Sequence, residues 1–223
     1  MTAAFCLWYD GCMRLPHFLS QAIEKVRMNK VIRVLIISDF FIWSGFGLLG
    51  PVFAVFITQQ IRGGELEVIG FASSIYLICK SVLQIPIARF LDMRKGEHDD
   101  FWAMLIGSAG MSVVPFLYLG ITQPWELYAI EAFYGIGAAL AYTSWEAIFT
   151  RHVDKDDVAL EWSMYNTVTD VGGAATASIG GLVAQSFGFH ALFLATGIVM
   201  CLGTGLLLTV ARTFKIEHDM IRS

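Results

Sequence analysis

Six runs of about twenty apolar residues, joined by short polar loops, set the strongest limit on how this chain folds. They cover residues 34–57, 68–91, 101–121, 125–145, 162–186 and 190–210. A hydrocarbon core about 30 Å thick is crossed by about 20 helical residues, so each run is long enough for one passage. Lipid offers the backbone no hydrogen-bond partner, which leaves helices and closed barrels as spanning structures. A barrel would show short alternating segments instead of continuous apolar ones. The chain therefore reads as an all-α, six-helix transmembrane bundle. Composition agrees: 56% of its 223 residues are hydrophobic and 15% charged, where soluble domains carry about 25%. Pro51, Pro86 and Pro115 fall inside runs, and each predicts a kink rather than an end.

The basic residues orient the bundle. Arg14, Lys25, Arg27, Lys30 and Arg33 precede the first run, and Arg89, Arg94 and Lys95 follow the second. Arg151 and Lys155 follow the fourth, and Arg212, Lys215 and Arg222 follow the sixth. With six spans, thirteen of the fifteen Lys/Arg lie on one side, which the positive-inside rule makes cytoplasmic. Only Arg62 falls opposite, and Lys80 lies within a run. Deleting or splitting any run would destroy the segregation. Trp102, Trp125, Trp145 and Trp162 sit at predicted helix ends, where an aromatic belt belongs. The expected organisation is a cytoplasmic leader over 1–30, a membrane domain over 31–212 and a cytoplasmic tail over 213–223, in a multi-pass protein of the cell membrane. The apolar run beginning after Met28-Asn29-Lys30 also allows part of the leader to be a gene-start artefact.

Four ionisable residues lie well inside the runs: Asp39, Lys80, Glu131 and Asp170. Facing lipid, Asp or Lys would cost about 2.5–3.5 kcal/mol on insertion scales, so these side chains should face a polar interior or one another. The third and sixth runs carry no charge, which predicts that helices one, two, four and five surround that interior while three and six face lipid. At 1.5 Å per residue, Asp39 and Asp170 lie roughly 10–12 Å from the cytoplasmic edge and Lys80 near the midplane, with Glu131 roughly 9 Å below the outer edge. Lys80 is thus placed to pair with Asp39, Asp170 or both. Two functions fit this pattern: a substrate or proton pathway, and an ion pair that holds the bundle together. If all four ionise they sum to two negative charges, a lean toward cations or protons.

Other chemistry is poorly provided for. Cys6, Cys12, Cys79 and Cys201 form no CxxC or Cys/His cluster, so no disulfide framework, metal site or cofactor is expected. No basic patch suggests nucleic acid. His17, His98, His152, His190 and His218 occupy loops, termini or helix ends, no GxSG serine is present, and an enzyme is not expected. Gly135 and Gly137, like Gly180 and Gly181, read as small patches for close helix packing.

Some local stretches are more specific. Gly180-Gly181-Leu182-Val183 is followed, four residues on, by Gly188-Phe189-His190-Ala191-Leu192-Phe193. Tyr134-Gly135-Ile136-Gly137-Ala138-Ala139 lies in the fourth run, and Ala88 to Gly96 forms the loop after the second. Together these make residues 29–214 resemble one half of a major facilitator superfamily transporter, the first half most closely. The resemblance implies transport of a small solute by alternating access. It also makes the loop a conformational latch with Asp92, Arg94 and Gly96 as its residues. The departures are specific. Ala88 replaces the loop's first glycine, Gly96 comes one residue late, and Glu97, His98, Asp99 and Asp100 stand where basic residues are usual. Glu131 replaces an arginine, and the fifth run lacks the proline of the antiporter signature.

The resemblance covers one six-helix half where the family has two, related by an axis along the membrane normal. A half-size transporter pairing as a homodimer, or with a separate half-transporter chain, is the expectation. A truncated or non-transporting assembly partner is the alternative. The lipid bilayer is the expected surround, and the substrate is not legible.

Overall fold

The computed structural model describes residues 29–93 and 97–222, with side chains to residue 211 except 210. The leader over 1–28, and Arg94 and Gly96 of the latch loop, lie outside the described residues. The described chain is helical, in the order α1 (Lys30–Leu49), α2 (Phe53–Gln60), α3 (Leu66–Met93), α4 (Glu97–Leu117), a 3₁₀ turn (Tyr118–Gly120), α5 (Pro124–His152) and α6 (Val158–Arg222). α6 is broken at Gly188, whose φ of 81° and ψ of 173° suit glycine and not an L-residue. Residues 158–187 and 189–222 therefore form two arms, matching the fifth and sixth apolar runs. The second arm runs on past residue 212, where the tail was expected to begin.

Pro51 does more than kink the first run. Its missing N–H and its ring stop α1, and the chain turns through Gly50–Val52 before α2 resumes. Pro86 and Pro115 remain inside α3 and α4. Asn29 starts α1 by accepting from the Val31 amide at 3.2 Å. Glu126 anchors the first turn of α5, accepting from the Thr122 and Gln123 amides at 2.7 and 2.9 Å.

Among the described residues four helices are long and apolar enough to cross a membrane: Lys30–Leu49, Leu66–Met93, Glu97–Gly120 and Val158–Thr209, the last holding two runs. α5 is not among them, because Glu131, Tyr128, Tyr134 and Tyr142 dilute its apolar character. α1 packs along α6, α4 lies against both α5 and α6, and α3 rests on α5. Polar side chains tie the helices together. Ser38 Oγ donates to the Gly203 carbonyl at 2.7 Å, and Ser112 Oγ and Thr204 Oγ1 are 2.8 Å apart. Apolar cores fill both ends, one around Phe56, Leu127 and Phe193, the other around Ile32, Phe101 and Phe149.

Exposure does not follow the distribution of charge. In its apolar window α3 is only 11% buried, against 44% for the third-run helix α4. Within this chain α3 is the least covered helix, presenting Phe71, Ile78, Val82 and Ile85 outward. α4 gains its cover from small residues. A Cβ on Gly107 would lie 2.6 Å from the Gly137 carbonyl and as close to the Ala141 backbone.

Candidate functional site

A cavity of about 340 Å³ lies among α1, α3, α4, α5 and the second arm of α6. Its wall is mainly aromatic: Trp43 and Phe46 from α1, Tyr76 from α3, Tyr118 from the 3₁₀ turn, and Tyr134 and Tyr142 from α5. The rings reinforce one another. Tyr76 stacks on Tyr134 with centroids 4.8 Å apart, and Phe46 meets Tyr134 at 5.3 Å. Gly135 makes this possible by drawing α3 against α5: a Cβ there would lie 2.6 Å from the Tyr76 carbonyl and 2.8 Å from Cys79 Cβ. Gly137, two residues on, turns toward α4 instead, with Gly107 O at 3.2 Å.

Of the four intramembrane charges, Glu131 is the one in this wall. It is 5% exposed, and its Oε1 accepts a 2.6 Å hydrogen bond from the Tyr118 hydroxyl. Oε2 accepts none and is not fully covered. Asp39 is also buried, with Oδ2 accepting from Trp43 Nε1 at 3.0 Å and from the Tyr165 hydroxyl at 2.6 Å. The Tyr165 bond joins α1 to the first arm of α6, and the Trp43 bond lies within α1.

Lys80 does not make the expected ion pair with Asp39 or Asp170. Among the described residues no carboxylate lies within 4.0 Å of it; its Nζ sits 4.2 Å from the Tyr142 ring centroid. A cation over an aromatic face gains electrostatic attraction without a carboxylate. Tyr142 in turn meets Trp43 at 6.0 Å, so an aromatic relay, rather than a salt bridge, separates Lys80 from Asp39. Asp170 is exposed and lines a second cavity, of about 530 Å³, between α1 and the first arm of α6 with Asn166 and Thr169. Trp43, Phe46 and Gly50 border both cavities.

The remaining sequence-derived residues divide. Gly180 packs directly on the Leu48 backbone, while Gly181 has nothing within 4 Å of a would-be Cβ and faces outward. Asp92 is exposed at the end of α3. Near it α4 and α5 are clamped by an ion pair between Arg151 and the fully buried Asp100, and by His152 and Glu97 at 3.6 Å. Among the described residues no group of three or more His, Cys, Asp or Glu could hold a metal ion.

Sequence reasoning found Glu131 but missed the tyrosines around it. The signal was present: Tyr134 lies in mid-run, away from the interfacial belt where tyrosine normally sits in a membrane helix. A sequence model described as Major Facilitator Superfamily matches residues 35–219. No curated protein gives a significant match.

Proposed function

Since the chain belongs to the major facilitator superfamily, a superfamily of membrane transporters, we propose that it moves a small solute across the cell membrane by alternating access, working with a second six-helix half. The observation that carries this reading is the 340 Å³ cavity whose wall holds a buried carboxylate with one unengaged oxygen. Its volume falls at the small end of the 300–1,000 Å³ usual for small-molecule sites. Glu131 is the proposed substrate contact. Asp39 and Asp170, on the α1–α6 side, and Lys80, behind Tyr142, are proposed to line the rest of the path.

The second half is either another copy of this chain or a separate chain, in the same orientation. Support comes from the outward faces of α3 and of residues 158–187, which carry Phe71, Val82, Val171 and Leu182 with little cover from the rest of the chain. Parallel halves related by an axis along the membrane normal suit the one-sided basic residues. We place both termini in the cytoplasm, with the membrane domain over 31–212, and keep Asp92, Arg94 and Gly96 as latch residues.

The test is flux into proteoliposomes containing only this chain, with radiolabelled cationic, neutral and anionic solutes. Saturable uptake of one class, with accelerated exchange when the same solute is inside, is expected. Uptake no faster than in protein-free vesicles for every class overturns transport by two copies of this chain.

A further inference from the structure

We infer that the cargo of the α1–α3–α4–α5 cavity is a flat organic cation, held by its charge at Glu131 and by its ring among Tyr76, Tyr134 and Tyr142. The inference rests on the transport reading and names the substrate class of that same site. Three observations carry it. First, Glu131 is the one carboxylate among the lining residues, and no Lys or Arg lines the cavity with it. An ionised carboxylate in an apolar wall is costly without a countercharge, and a cationic ligand would supply one. Second, the oxygen available to a ligand is Oε2; Oε1 is held by Tyr118, which fixes the carboxyl in place before anything binds. Third, seven of the other thirteen lining residues are aromatic, with Tyr76 and Tyr134 stacked and Trp43 in the same wall. Such faces attract cations and flat rings, and desolvated cation–π contacts are strong.

The nearest basic group argues the same way. Lys80 is spent on the Tyr142 ring at 4.2 Å and is not a lining residue, so it neither neutralises Glu131 nor offers a site to an anion. An anionic cargo would meet Glu131 with nothing to offset the repulsion.

Equilibrium binding to the purified full-length chain in detergent tests the assignment. The probes are three molecules of similar shape: N-methylquinolinium (cationic), 1-methylnaphthalene (neutral) and 1-naphthoate (anionic). The cation should bind tighter than either isostere by about tenfold or more. Glu131→Gln should abolish that preference while leaving ring binding, and Glu131→Asp should retain part of it. The wild-type preference needs no variant, so a Glu131→Gln chain that fails to fold leaves the test intact. Binding of the anion or the neutral isostere as tightly as the cation overturns the assignment, as does binding of none of the three. Either result is separable from the transport reading, because flux of a neutral or anionic solute would leave transport standing and remove only the cation.

Discussion

The Tyr118 hydroxyl donates to Glu131 Oε1 across 2.6 Å, linking the turn after α4 to the N-terminal part of α5 in the wall of the cavity. Both groups are buried, so each would otherwise be an unsatisfied polar group in an apolar setting. Tyr118→Phe should lower the thermal stability of the detergent-solubilised chain. A double-mutant cycle with Glu131→Gln should show a coupling of about 1 kcal/mol, within the range for a hydrogen bond to a charged or membrane-buried group. Strict additivity of the two substitutions would mean that the bond contributes nothing.

Lys80 and Tyr142 yield a different cycle. Because Lys80 has an aromatic face and not a carboxylate as its neighbour, neutralising Asp39 or Asp170 should not rescue Lys80→Met. Tyr142→Phe should be tolerated, since the ring remains, whereas Tyr142→Leu should lose about 0.5–2 kcal/mol. Expression level and melting temperature read this out. Rescue of Lys80→Met by Asp39→Asn would instead restore the ion pair that the sequence suggested.

At the loop end of α4 and α5, Arg151 partners a carboxylate that is fully buried, while the guanidinium itself is 38% exposed. Arg151→Ala leaves Asp100 without its cation and should cost about 1–3 kcal/mol. The double variant Arg151→Ala, Asp100→Asn should recover much of that loss, because the uncompensated charge is gone. Denaturation midpoints for the three chains, compared in one detergent, measure the difference; a double variant weaker than Arg151→Ala would contradict it.

The adjacent glycines of the first arm of α6 should behave oppositely. Gly180→Ala drives a methyl into the Leu48 backbone and should cost about 1–3 kcal/mol by overpacking. At Gly181 a Cβ has no side chain or other helix within 4 Å among the described residues, so Gly181→Leu should leave the chain's folding unchanged. If that face meets the second half, Gly181→Leu should lower the fraction of paired chains seen by detergent-corrected mass measurement. Unchanged pairing would move the interface elsewhere.

Orientation is open to labelling. In a chain freed of its native cysteines, single cysteines replacing exposed Arg62, Thr122 and Phe187 should react with an impermeant maleimide in intact cells. Cysteines at Asp99 and Asp156 should react only after lysis. Outside labelling at Asp156 would reverse the topology.

The sequence by itself determined the helical class, the membrane setting and the number of apolar runs. These follow from length and composition, because a backbone in lipid must satisfy its own hydrogen bonds wherever the side chains point. It also singled out Asp39, Lys80, Glu131 and Asp170, since a charge in an apolar run is visible without coordinates. Partnership was decided only by the tertiary structure. Position along a helix specifies depth but not which way a side chain faces, and depth alone made Lys80 a partner for Asp39. The packing of α3 on α5 through Gly135 turned Lys80 onto Tyr142 instead and set Tyr76 beside Tyr134 in the wall that holds Glu131, while α1 on α6 gave Asp39 to Trp43 and Tyr165. Pro51 shows the same division. Proline marks a disturbance in any helix, but whether the chain bends or stops there depends on what its next turn packs against. Here Phe56 and Ile57 of α2 are buried in the core beside Phe193, and the chain stops and restarts to place them there.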